Sequence, residues 1–505
     1  ETFDSHAASE IRGLEISDFQ GVRWAQENLF VSLDRSAIAV RGTDGEVSSK
    51  SHLASPMPME RIAAAGELRY APPGIRVTSF LADLGGPTLQ FSGQAHAADP
   101  FPRILAEGTI DDLPTEIFHR LWPTQFSPAA RHWITSHAEG GRITHAAFRV
   151  DLDPAVSSLK DLPKSAIAVE GAFSGLRLDY SPPRPPVQSA RGAFTISARD
   201  SQVQLASGEV GQSRITAARA DFSGIQSDLP AIDVTVELQG PASDLADAAR
   251  IILEDDMASV PLPPLTDALA ETRIHSQFPL REKLTADDIR HDVSSEITNI
   301  AADGYFGFDL KDGRATASMD NGRFSLEGAV RCGRTPVAVQ VAYGTDTKAT
   351  LHLSAAVDAE HLDDFRLPPL PFLTGTLQAG LDLTRTDAGT EIASRLDLTQ
   401  AAVDLHTWGW MKPSGTPAIL ESRGTVTDAA TLAISRLALS GDHLDVQGAG
   451  TVTFSSPMTF DLTLDPLHAG AHRLAATLAL DASQSLRASL TGERFDASGL
   501  LNGGR

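Results

Sequence analysis

Few side chains in this sequence sit at spacings that support chemistry. Asp363 and Asp364 adjoin His361, residue types suited to acid–base work, but adjacent carboxylates at a helix end ordinarily stay in water. His468 and His472 are four apart, a metal-ligand spacing on a helix, yet their surroundings alternate as strand does. His132 and His137 are five apart in a helical segment, about 140° around its axis, which separates them. "GAGTVTF" (448–454) lacks the following helix that a phosphate cradle requires, and Ser174 in "FSGL" belongs to a strand rather than to a nucleophile elbow. Trp410, Lys412 and Pro413 in "GWMKPSG" suit either contact with a lipid headgroup or partner, or a structured loop whose tryptophan packs on a sheet. No catalytic residue, metal ligand set or cofactor is expected.

The bounds agree with a non-catalytic reading. At 505 residues the chain has room for about three or four ordinary domains. Its net charge of −23 argues against nucleic acid or anionic headgroups as partners of a basic surface. The single cysteine, Cys332, excludes an intrachain disulfide. No run of about 18 apolar residues is present to span a bilayer as a helix. The sequence opens "ETFDSHAASE" and closes "LLNGGR", and is read as a piece of a longer protein whose membrane anchor lies outside it.

The elements that must position everything else are strands. Ile232, Val234, Val236 and Leu238 alternate with Asp233, Thr235, Glu237 and Gln239. Leu377, Ala379, Leu381 and Leu383 form a second such run, and Phe460, Leu462 and Leu464 a third. In "AIAVEGAFSGLRLDY" the phase shifts: Ile167, Val169 and Phe173 are odd, whereas Leu176, Leu178 and Tyr180 are even. A bulge near Gly175 keeps both sets on one face. Asp44-Gly45, Asp312-Gly313 and Asn321-Gly322 read as hairpin turns, which favour antiparallel neighbours over a parallel solenoid. Helix is expected at 113–122, from Ser127 as N-cap to Gly140-Gly141, from Ser243 along Leu245, Ala249 and Ile252, and briefly near 359–366. In the second of these, Trp133 and Ile134 should dock on the sheet while His132 and Glu139 face water. Proline-rich breaks at 181–186, 260–265 and 367–372 read as bends.

About 25–30 strands each with one apolar side, and few helices to cover them, pose a packing problem. A rod or trough of roughly 120–145 Å follows if neighbours lie about 4.8 Å apart. The expected fold is all-β: an elongated, twisted antiparallel sheet forming an apolar groove, with a few short helices.

"RIAAAGELRYAPPGIRVTSFLADLGGPTLQFSG", "LPTEIFHRLWPTQFSPAARHWITSHAEGGRITHAAFRVDL" and "LDLTQAAVDLHTWGWMKPSGTPA" resemble the YhdP-type branch of the AsmA-like family, with similarity running from about residue 60 to "GERFDASGLL". The resemblance implies a periplasmic, inner-membrane-anchored protein of a Gram-negative envelope that supports phospholipid transport to the outer membrane, with an outer-membrane or periplasmic protein as further partner. It implies the division 1–110 (groove), 111–141 (helical pair), 142–258 (groove ending in a short helix) and 259–505 (a truncated C-terminal groove). The expected acyl-chain lining is Ile167, Val169, Phe173, Leu176, Leu178, Ile232, Val234, Val236, Leu238, Leu377, Leu381, Leu383, Phe460, Leu462 and Leu464. The rival reading is a non-catalytic periplasmic scaffold whose sheets pack on each other.

Overall fold

The computed structural model describes residues 6–17, 22–49, 56–99, 102–122, 128–153, 162–180, 185–225, 230–246, 265, 267–280, 288–305, 308–320, 322–344, 347–365, 367, 369–386, 389–406, 410–426, 431–453, 457–483 and 485–495. The fold is all-β and antiparallel, with a few short helices. Two compact units partition the chain: residues 1–239 with 273–291, and residues 240–272 with 292–505.

In the first unit, strands follow one another from His6–Ser17 to Ala231–Pro241, each paired antiparallel with its neighbour in sequence. The second unit repeats the scheme from Arg290–Tyr305 to Leu486–Arg494. Among the described residues no pairing closes either ladder on itself. Within each unit most contacts of a strand are to its ladder neighbours and to short helices, and in the second unit a small second sheet, Ala401–Leu405 with Trp410–Lys412, lays Trp410 on the apolar cluster around Leu444.

Excursions leave this ladder and return to it, and three of them lie largely within the described residues. Helices α1 (Thr115–Leu121) and α2 (Pro128–His137) lie between Arg103–Pro114 and Arg142–Leu152, which still pair directly. Ile117, Phe118 and Leu121 of α1 pack against buried Leu113, Ile143 and Ala146. Arg131 of α2 donates to the Trp122 and His119 carbonyls, tying the two helices together. Ser127 lies outside the described residues, and α2 stops at His137, short of Gly140. The glycines instead turn the chain into the next strand with φ of 61° and 67°. Trp133 and Ile134 are half-buried, and the Trp133 ring stacks on His137 at 5.0 Å; His132 and Glu139 are exposed. In the second unit a 3-10 segment, Ala359–Phe365, and a flap over residues 398–417 fill the other two gaps. The helix expected from Ser243 begins at Ala242, and Ala249 and Ile252 lie outside the described residues.

Turn chemistry is where the sequence misleads. Asn321-Gly322 does sit in a hairpin, since Asp320 pairs with Arg323; Asn321 itself lies outside the described residues. Asp44-Gly45 and Asp312-Gly313 do not. Asp44 and Asp312 take the positive φ expected of them, 59° and 52°, but inside Ala37–Ser49 and Phe308–Asp320. They relieve bends in continuous strands: Gly42 and Gly45 face inward three residues apart, with Thr43 and Asp44 both turned out. Positive φ is what a bulge and a tight turn have in common, and only the flanking spacing separates them. The Gly175 bulge is present as expected. Its φ is 73°, register shifts between Phe173 and Leu176, and Phe173, Leu176, Leu178 and Tyr180 join one cluster.

Candidate functional site: the apolar faces

Cross-strand register turns the scattered apolar residues into rows. In the first unit one row runs Ile11, Leu29, Gly42, Ile62, Ala82, Leu89, Ile110, Ala146, Gly171, Phe194, Val203, Ala220, Val234 without a polar side chain. A parallel row runs Leu113, Ile143, Phe173, Gly192, Leu205, Ala218, Val236. In the second unit Ile297, Ala315, Gly328, Val339, Leu353, Leu381, Ser394, Ser422, Leu437, Gly448, Leu464, Ala476 and Leu490 make a row with one polar interruption. Beside it lies Val330, Val337, Ala355, Ala379, Leu396, Leu420, Leu439, Val446, Leu467, Leu474, Gly492.

The glycines in these rows have a specific use. A Cβ at Gly108, Gly171 or Gly192 would meet a ring carbon of Phe148, Phe194 or Phe173 at 2.8, 2.7 and 2.9 Å. At Gly448, Gly450 and Gly492 a backbone carbonyl oxygen lies nearest, at 2.4, 2.0 and 2.4 Å, and a methyl of Leu464, Leu462 or Leu474 follows at 2.7, 2.9 and 2.8 Å. The tips of large side chains therefore reach over glycine on the next strand, where a Cβ would meet them.

The expected lining residues distribute as follows. Phe173, Leu176, Leu178, Val236 and Leu238 share one cluster with buried Val187, Ala190 and Ile215. Val169 pairs with Phe148 and Ile196, Ile232 is buried opposite Phe222, and Val234 lies opposite Ala220. Ile167 departs from the set and packs against Leu162, Ala166 and Ala198. In the second unit Leu377 is buried with Val357, Leu362 and Ala401; Leu464 is buried with Leu444, Val446 and Ala476; Leu381, Leu383, Phe460 and Leu462 are half-buried.

These faces are only partly covered: among the described residues Val203, Val234, Leu353, Leu381 and Leu462 are half-buried.

The opposite face is polar and laced with cross-strand pairs, Arg142–Asp112 at 2.7 Å, His145–Asp111 at 2.6 Å and Arg395–Glu421 at 2.6 Å, and with an Arg219–Asp221 pair along one strand at 2.6 Å. Hydrogen bonding from Arg219 holds the Asp221 carboxyl below its ordinary range. A concavity of about 1020 Å³ opens on this face of the first unit. Its walls carry Glu107, Glu170, Asp200 and Asp221 with Arg149, Lys164 and Arg219, so water rather than hydrocarbon suits it.

The residues first weighed for chemistry have structural partners. Asp364 is not solvated as expected: its side chain is 7% exposed and accepts from the Arg334 backbone N–H at 2.9 Å, the Arg334 Nε at 3.2 Å and the Thr335 hydroxyl at 3.0 Å. Burial opposes its ionisation, but these donors prevail and its pKa is lowered. Cys332 is buried, its thiol donating to the Asp364 carbonyl. Trp410–Lys412 is a short strand paired with Ala401–Leu405, and Trp410 packs against the cluster around Leu444. Lys412 is buried, donating to the Ala401 and Pro413 carbonyls at 2.6 and 3.3 Å; desolvation lowers its pKa, against an opposing pull from Asp397. Among the described residues no group of three His, Cys, Asp or Glu side chains is placed to hold a metal, and no helix is long and apolar enough to cross a membrane. Comparison with known protein families finds no family that matches this chain, and comparison with curated proteins finds no matching relative.

Proposed function

We propose that the apolar faces shelter phospholipid acyl chains, as the periplasmic part of an inner-membrane-anchored protein supporting lipid transport to the outer membrane, without covalent catalysis. One observation carries this: rows of apolar side chains cross whole units of a ladder that no pairing among the described residues closes, and most of their members are only half-buried. The resemblance to the YhdP-type AsmA-like proteins supports the membrane assignment. Sheltering two long acyl chains contributes on the order of 20 kcal/mol at about 0.8 kcal/mol per methylene. Tails would slide along the rows, while the polar face keeps the protein in water. A partner in the outer membrane or periplasm would receive the lipid.

Strand parity tests this directly. Val236 faces the cluster with Leu205 and Ala218, whereas Thr235 pairs with Arg219 on the other face. A photo-crosslinking residue at 236 should capture phospholipid, identified by mass spectrometry, and one at 235 should not. Protein-only adducts from position 236 would favour a scaffold, and equal lipid capture at both positions would remove the proposal.

A further inference from the structure

Ser394 and Ser422 are direct cross-strand partners in the middle of Gly389–Asp397 and Ala418–Val426, with hydroxyls 2.7 Å apart. Their inward-facing neighbours are Leu381 and Leu437 along the row, and Ile392, Leu396 and Leu420 along the strands. Alternate residues Arg395 and Glu421 pair on the polar face, so parity turns both serines toward the apolar one. Two hydroxyls carry two protons. One is used between them, and among the described residues no other group accepts the second. Both side chains are half-buried, so that proton sits at the lining surface. Once a sheltered lipid covers that donor, it is costly unless the lipid supplies an acceptor, since the mutual pair alone cannot satisfy it.

We infer that the Ser394–Ser422 pair donates its free proton to an ester carbonyl of a sheltered acyl lipid, making it a specificity-determining contact. Hydrocarbon can slide past the flanking leucines, whereas a carbonyl oxygen beside the two serines gains a hydrogen bond. The inference rests on the lipid-sheltering reading, and names the lipid's ester linkage as the group recognised.

The test is a competition, on the purified chain, between dioleoyl phosphatidylcholine and its ether-linked dialkyl analogue, which lacks both carbonyls. One net hydrogen bond predicts that the chain retains the ester over the ether by about 2- to 10-fold. Ser394→Ala with Ser422→Ala should abolish that preference while total retained lipid stays within about twofold, the transfer of apolar area being unchanged. Ser422→Thr, which keeps a hydroxyl on a β-compatible side chain, should preserve it. An equal preference in the alanine double variant, or none in the unmodified chain, overturns the contact and leaves lipid sheltering intact. An unmodified chain that retains neither lipid overturns sheltering, and the contact with it.

Discussion

In the first unit the row from Ile11 to Val234 crosses its strands without a polar side chain; Phe194 reaches over its Gly171, and Gln26 over its Gly42. In the second, the row from Ile297 to Leu490 is broken at Ser394 and Ser422, and Leu464 reaches over its Gly448. The excursions differ in parallel. The helical pair of the first unit is held by Ile117, Phe118 and Leu121 in an apolar cluster. The 3-10 segment and flap of the second also have apolar anchors, Leu362 and Trp410, and add buried polar latches, Asp364 on Arg334 and Thr335, and Lys412 on two carbonyls. A ring reaches over a neighbouring strand's glycine with few rotatable bonds, so a phenylalanine lining is smooth and stiff. A leucine lining leaves more relief, and a polar residue survives within it only because its cross-strand partner is polar too.

The glycines give the largest expected effects. Gly450→Ala would drive Cβ to 2.0 Å from the Asp461 carbonyl oxygen, a backbone group that cannot swing away. It should cost about 3 kcal/mol in urea unfolding, and Leu462→Ala should not restore it. Gly171→Ala meets the Phe194 ring first, at 2.7 Å. It should cost about 2 kcal/mol, with Phe194→Leu recovering only part because the His145 carbonyl oxygen at 2.8 Å stays in place; a double-mutant cycle measures that coupling. Equal rescue in both pairs would erase the distinction between the two linings.

Truncating the covering side chains should separate the units less sharply. Phe194→Ala is expected to cost about 2 kcal/mol and Leu462→Ala about 1 kcal/mol, below fully buried values because both are only partly covered. A larger loss at Leu462 would invert the comparison.

The polar latch predicts a pH signature that the apolar one lacks. The folded-state pKa of Asp364 is depressed, so its stabilisation is present above the ordinary carboxylate pKa and is lost as pH falls through the lowered value. Asp364→Asn should destabilise by about 1 kcal/mol at neutral pH, and the gap should close as pH drops below about 4. Leu121→Ala in α1 should show a gap independent of pH over that window. At the small end, Arg395→Ala should change stability by about 0.5 kcal/mol or less, since both partners of its ion pair are more than half exposed.

How much of this was legible follows the range of each signal. Strand parity is local, so Val234 and Val236 could be separated from Thr235 and Glu237 by inspection, and the phase change at Gly175 announced its own bulge. Rows depend on register, which integrates every turn and bulge between two strands. Reading Asp44-Gly45 as a turn is enough to derail it. Ser394 and Ser422 lie 28 positions apart with a flap between them, and neither is unusual alone. Asp364 reads as an ordinary surface acid until the fold brings Arg334 and Thr335, about 30 positions away, onto it.

Each of these three excursions departs from one strand and rejoins the ladder in a strand paired directly with it, as Arg103–Pro114 pairs with Arg142–Leu152 and Gly389–Asp397 with Ala418–Val426. The hydrogen-bond ladder therefore does not register the length of what lies between. Lengthening a loop costs only about 0.6 kcal/mol per doubling, so these gaps are places where the chain can acquire new segments over generations without renumbering a single pair in the wall. Growth by insertion, at fixed lining, is a route by which such a sheet acquires new attachments while its apolar surface stays as it was.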